Sequence, residues 1–185
     1  MEKVFAGGRR LRLVEGDITK VRSGAVVNAA NQALAGGGGV DGAIHRAGGP
    51  SLMKELDEIR ARTGGCPTGS AVPTGAGNLP ADYVFHAVGP MYRDGRHGEP
   101  ERLASCYQTC LDLADARGVQ VITFPSISTG VYGYPLSEAA PIAIDAVAGR
   151  LRGNTSVREA IFVLFDRATF DAYAAALVEC ANRLQ

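Results

Sequence analysis

The sequence predicts an α/β sandwich whose largely parallel sheet carries helices on both faces. Three observations predict it. Strand-like and helix-like segments alternate along the whole chain; several strands are uniformly apolar, as strands covered on both faces are; and two glycine-rich loops follow strands directly.

Leu11–Glu15 alternates apolar and charged side chains, and Gly16-Asp17 breaks it. Ala25–Ala29 is a short apolar strand. After the glycines at 36–39, a helix from about Val40 to Ala47 is stopped by Gly48-Gly49-Pro50. Ser51–Arg62 is a helix with Leu52, Leu56 and Ile59 at helical spacing. Thr63–Gly77 is rich in Gly, Pro and Thr and holds one short strand, Ser70–Pro73. Tyr83–Val88 is a buried strand closed by Gly89-Pro90, and Met91–Pro100 is a polar loop. Leu103–Ala116 is a helix ended by Gly118. Val119–Phe124 is a strand, followed by Pro125 and a second glycine loop, Ser128–Gly133. Ser137–Leu151 is a helix, with Ser137 as its N-cap and Pro141 near its first turn. Ala160–Phe165 is the last strand and Ala168–Leu184 an alanine-rich closing helix. Without internal repeat or linker, residues 1–185 read as one domain with a sizeable core.

Ligands in such sheets bind beyond the carboxyl ends of the strands. Both glycine loops begin there, after Ala29 and after Phe124, so they are expected to meet over one crevice. Glycine lets backbone N–H groups approach an anion closely, and a helix start adds unpaired donors. Asn31, Asp41 and His45 stand beside that anion site. Asp41 and His45, four residues apart, share a helix face. A first-turn carboxylate ordinarily serves the helix dipole, but beside a phosphate it opposes binding, which points to chemistry. His45 reads equally as a packing residue. Asn28 ends a strand and suits a structural role; Asn31, nearer the loop, is the better ligand contact. Asp17 is a turn residue placed to accept a hydrogen bond from a ligand amine. His86 reads as a hydrogen-bonded core histidine, and Tyr132 and Tyr134 as lids over the second loop.

Gly37–Gly42 formally fits the dinucleotide pattern G-x-G-x-x-G, but no acidic residue ends a following strand at the right distance. P-loop and hydrolase-elbow patterns are absent. Nineteen basic and nineteen acidic residues cancel, which argues against a strong nucleic-acid surface. No apolar run is long enough for a membrane span. Cys66, Cys106, Cys110 and Cys180 lack metal-ligand spacing and read as reduced thiols of a cytoplasmic protein. Arginine far outnumbers lysine, and alanine and glycine are abundant, a composition that suits a GC-rich bacterial genome.

Gly16-Asp17-Ile18-Thr19, Val27-Asn28-Ala29-Ala30-Asn31, the run Gly37–Arg46, Cys66-Pro67-Thr68-Gly69, Leu79-Pro80, His86-Ala87-Val88-Gly89-Pro90 and the run Pro125–Pro135 occur in that order over most of the chain. Through them the sequence resembles the macrodomain family, specifically the MacroD-type ADP-ribose hydrolases. The resemblance implies a three-layer α/β/α sandwich with a mixed, largely parallel sheet and a cleft for ADP-ribose. It implies that Asp17 accepts from the adenine amine, assisted by the Ile18 backbone, and that Phe165 packs near adenine. Ser128, Thr129, Gly130, Val131 and Tyr132 would hold the diphosphate. Gly37, Gly38, Gly39 and Val40 would line the distal ribose and its phosphate, with Asn28 counted in the same ligand-binding set. Asn31 would bind the distal ribose hydroxyls, and Asp41, supported by His45, would sit near the anomeric carbon; these three are the expected catalytic residues.

The implied activity is removal of single ADP-ribose units from acidic side chains of proteins, together with deacetylation of O-acetyl-ADP-ribose, with no cofactor and no metal. The implied partners are ADP-ribose and mono-ADP-ribosylated proteins, met by a monomer. Two alternatives stay open. A non-catalytic ADP-ribose reader would need every binding residue but not Asp41. A nucleic-acid or RNA-end binder is disfavoured by the neutral charge, and a steep loss of binding with salt would be its mark.

Overall fold

The computed structural model describes residues 1–184. Seven strands, β1 (Glu2–Val4), β2 (Arg10–Glu15), β3 (Ala25–Ala30), β4 (Ala71–Gly75), β5 (Tyr83–Val88), β6 (Val121–Phe124) and β7 (Glu159–Leu164), form one sheet in the order β1-β2-β7-β6-β3-β5-β4. The five central strands are parallel; β1 and β4 join antiparallel at the two edges. Both edges are poor templates for further pairing. β1 is three residues long, and β4 carries Pro73, which has no N–H to offer.

Helices α3 (Glu99–Ala116), α4 (Leu136–Arg152) and α5 (Arg167–Arg183) cover one face, and α1 (Gly39–Gly48) and α2 (Ser51–Thr63) the other. Period-two alternation divides the strands accordingly. Ala25, Val27, Phe85, Phe124 and Phe162 enter the larger core beside Leu103, Tyr107, Ile144 and Tyr173. Val26, Val84, Ile161 and Val163 turn to the opposite side, against Ile44 and Leu52. The layers match the predicted sandwich.

Several boundaries differ from the sequence reading. β1 was not foreseen: two of its three residues are charged, and only pairing with β2, Lys3 opposite Leu11, makes it a strand. β4 is shifted to Ala71–Gly75, and β7 ends at Leu164, leaving Phe165 outside the sheet. Helix α4 starts at Leu136 after Pro135, so Ser137 lies inside it and is not its N-cap.

Helix α3 begins earlier than its apolar pattern, at Glu99. The buried Glu99 carboxylate accepts the backbone N–H groups of Arg93, Asp94, Gly95 and His97, clamping the preceding loop. Burial alone would raise its carboxyl, but these N–H donors outweigh that and hold it down at about 2. Asp94 and His97 converge on Glu99, yet its oxygens are committed to the backbone, and the cluster is a loop clamp.

Candidate functional site

The carboxyl ends of β2, β7, β6, β3 and β5 lie in that order along one sheet edge. The loops that leave them carry the predicted residues. A cavity of about 370 Å³ opens between the loops after β3 and β6. Asn31, Gly37, Gly38, Gly39, Val40 and Asp41 line it from one side, and Ser128, Gly130, Val131 and Tyr132 from the other. The two glycine loops therefore meet over one crevice.

The first loop is shaped by Asn31. Its Nδ2 donates to Gly36 O (2.9 Å) and its Oδ1 accepts from Ala35 N (3.1 Å). Helix α1 then begins without a side-chain cap, leaving first-turn N–H groups unpaired at the cavity wall. Gly42 permits the close return: a Cβ there would stand 2.7 Å from Gly37 O.

The second loop is held from below. Ile127 N donates to Tyr107 Oη (3.1 Å), and Tyr173 Oη donates to Ser126 Oγ (3.0 Å). Thr129 Oγ1 also donates to Ser126 Oγ (2.7 Å), which gives Thr129 a role in loop shape; it is not among the residues lining the cavity. Ser128 takes φ 68°, a conformation uncommon for a residue with a side chain, and its buried Oγ has no partner among the described residues. Against it stands Gly89 of the β5 exit, where a Cβ would come within 2.2 Å of Ser128 Oγ and 2.5 Å of Ile127 Cγ2.

Asp41 is buried at the foot of α1. Its Oδ1 accepts from Asn28 Nδ2 (2.8 Å), and His45 Nε2 stands 3.3 Å from the same oxygen, off the hydrogen-bond direction. Its Oδ2 faces Gly37, where a Cβ would lie 3.4 Å away. One oxygen is thus engaged by the protein and the other lies at the cavity wall.

Asn28 is enclosed completely and does not line the cavity, so the sequence-based count of it as a ligand contact is corrected: it works behind Asp41. His86, read from sequence as a core residue only, completes the arrangement. Asn28 and His86 are opposite neighbours on β3 and β5, on the face that α1 covers. Asn28 Nδ2 donates to His86 Nδ1 (3.1 Å), and His86 Nε2 lies 2.9 Å from Thr74 Oγ1, which itself donates to Gly75 O (2.8 Å). The Thr74 proton is committed to Gly75, so His86 carries its proton on Nε2. Its bare Nδ1 then requires an amide N–H from Asn28, the group that also meets Asp41. Burial, and secondarily the neighbouring His45, push the His86 imidazole down to about 3, so it stays neutral at ordinary pH. Two apolar side chains in place of Asn28 and His86 would each contribute roughly 1.5–3 kcal/mol by burial. An unpaired polar group there costs about 1–3 kcal/mol, and Asn28 Oδ1 is one, buried without a partner among the described residues.

Asp17, Ile18 and Phe165 lie along the same edge, at the β2 and β7 ends, outside this cavity. Asp17 caps a short turn, its Oδ1 accepting from Thr19 N (2.9 Å) and Thr19 Oγ1 (2.7 Å), which holds its carboxyl below the usual range. Ile18 is buried, and Phe165 is 83% exposed. Tyr132 lines the cavity, whereas Tyr134 is buried against Tyr92, 4.8 Å between ring centroids, and is not a lid. His86, Thr74 and Gly89 were missed as site residues because only strand order brings them there, and Tyr107 because only the packing of α3 on the sheet does.

The Macro domain family profile matches residues 27–143, a span holding both loops and Asp41. The chain is 52% identical over 165 residues to O-acetyl-ADP-ribose deacetylase 1 of Pantoea vagans, covering 89% of this chain and 96% of that protein. It is 48% identical over 170 residues to an O-acetyl-ADP-ribose deacetylase of Citrobacter rodentium, covering 92% and 96%. The Oceanobacillus iheyensis macrodomain solved with ADP superposes with a TM-score of 0.94 at 40% identity, over 99% of this chain and 97% of that one. The Trypanosoma brucei macrodomain in complex with ADP-ribose gives 0.81 at 39% identity, over 90% and 68%.

Proposed function

The chain belongs to the Macro domain family, and from that premise we propose that it hydrolyses esters of ADP-ribose: O-acetyl-ADP-ribose and ADP-ribose joined to acidic side chains of proteins. The observation that carries the reading is the state of Asp41. It is a buried carboxylate between two glycine loops, with one oxygen held by Asn28 and the other at the cavity wall.

An elongated ligand fits the order of strand ends. Adenine belongs at the β2 and β7 end, between Asp17 and Phe165; the diphosphate under Ser128–Tyr132; the distal ribose against Asn31 and Gly37–Val40. The amide N–H groups of residues 128–132 donate to no internal partner among the described residues and are suited to phosphate oxygens. In the protein ester, a water oxygen bonds to the anomeric carbon as the bond to the acyl oxygen breaks. Asp41 Oδ2 orients that water and takes its proton, and the acceptor departs as a carboxylate anion, needing no proton of its own. Linkages with poorer leaving groups, to arginine or serine, are expected to resist.

The test compares the parent with Asp41→Ala on O-acetyl-ADP-ribose and on a glutamate-modified protein, with ADP-ribose affinity measured by calorimetry. Turnover is expected to fall by roughly a hundredfold or more while affinity stays within a few-fold. A parent that binds ADP-ribose but cleaves neither ester is a reader, and the hydrolase assignment is then wrong.

A further inference from the structure

Beside the ligand cavity lies a second, larger hollow of about 690 Å³. The two share Asn31, Gly89 and Tyr132, so the hollow borders the cavity where the loops given to the distal ribose (Asn31) and to the diphosphate (Tyr132) meet. Its outer wall contains Gln32, Thr68, Met91 and Arg102. Arg102 is the one charged residue among the described residues that line it.

We propose that this hollow receives the acceptor segment of a mono-ADP-ribosylated protein, and that Arg102 selects acceptors that are acidic around the modified residue. The inference rests on the reading of the site as an esterase for protein-linked ADP-ribose. The acceptor is attached at the distal ribose, and the hollow reaches that ribose's position through Asn31, which lines both. The surfaces suit a polypeptide. Gln32 Nε2 donates to Thr68 Oγ1 (2.8 Å), leaving the Gln32 carbonyl and the Thr68 proton for an incoming backbone, and Met91, 67% exposed, offers an apolar rim. Arg102 sits exposed in the first turn of α3, where Nη1 donates to His97 O (3.0 Å). That bond orients the guanidinium and leaves most of its five donors for a carboxylate. The occupant's charge follows from Arg102, the one charge lining the hollow among the described residues, which complements carboxylates that flank the modified residue. Modification removes the charge of the modified glutamate or aspartate itself, so before cleavage only flanking acidic residues can meet the guanidinium, and the freed carboxylate joins them as the ester is cut.

The measurement uses two substrates of the full chain: a peptide modified on one glutamate and flanked by acidic residues, and O-acetyl-ADP-ribose, which has no polypeptide. Arg102→Glu and Arg102→Gln are each compared with the parent. The expected result is a KM for the peptide raised at least fivefold in Arg102→Glu and less in Arg102→Gln, with kcat/KM for O-acetyl-ADP-ribose and the calorimetric affinity for ADP-ribose held within twofold. Equal effects on both substrates, or an unchanged peptide KM, overturn the assignment of the hollow while leaving the esterase reading intact. A parent that cleaves O-acetyl-ADP-ribose but not the peptide overturns the protein-substrate half of that reading, and the acceptor site with it.

Discussion

Asp41 was legible in the sequence as a first-turn carboxylate beside a glycine run, where it would oppose a bound phosphate. Its support was not. Asn28 and His86 are 58 residues apart in the chain, and their hydrogen bond follows from the pairing of β3 with β5. His86 carries a testable consequence. Its imidazole titrates at about 3 in the fold, against an ordinary value near 6.5, so below 6.5 the unfolded chain binds a proton that the folded chain does not. The folded pKa is depressed, so the stabilisation is fully present above 6.5 and is lost as pH falls toward 3, at about 1.4 kcal/mol per pH unit. Between pH 6.5 and 5 denaturant melts should show a loss of roughly 2 kcal/mol, and His86→Leu should flatten that slope. A parent whose stability is level across this interval contradicts the buried neutral histidine. Glu99, held at about 2 against an ordinary value of 4.5, contributes its own loss at lower pH, as pH falls from 4.5 toward 2.

At the scale of elements, the periodic segments were read correctly in kind; the errors were the short charged strand β1, which was not foreseen, and the ends of other elements. Helix α3 begins four residues before its first core residue, Leu103, because Glu99 organises the loop ahead of it, a contact with no hydrophobic signature. Tyr134 looked like a lid because it follows the second glycine loop, yet packing on Tyr92 buries it. The β5 exit and the β6 loop touch through Gly89, and this contact sets the shape of the second glycine loop. Gly89→Ala places a methyl group within 2.2 Å of Ser128 Oγ and 2.5 Å of Ile127 Cγ2. The β6 loop must shift, and ADP-ribose affinity is expected to weaken by about tenfold or more in calorimetry, because amide donors misplaced by an ångström no longer meet the phosphates. Unchanged affinity with a normal melt means the loop absorbs the methyl without moving its amides.

For the molecule as a whole, net charge is zero and the proposed anion site consists of backbone amides at loops and a helix start. Binding of ADP-ribose is therefore expected to change only a few-fold between about 50 and 500 mM salt, whereas a nucleic-acid surface would lose orders of magnitude. A steep decline would return the nucleic-acid reading to consideration. The four cysteines are free and buried, and burial pushes the Cys106 thiol up to about 12, which leaves it unreactive. Among the described residues, no helix is long and apolar enough to cross a membrane.

The sequence by itself determined the sandwich, the sheet edge where the two glycine loops collect, and the presence of Asp41 beside a glycine run. Those features are local: side-chain periodicity, turn chemistry and helix starts act over a few residues and can be read in one dimension. The tertiary structure alone decided that Asn28 and His86 stand behind Asp41, that Gly89 bounds the second loop, and that Arg102 looks into a hollow continuous with Asn31. These contacts join residues far apart in the chain through the strand order β6-β3-β5-β4, and strand order is settled by packing of the whole sheet against its helices.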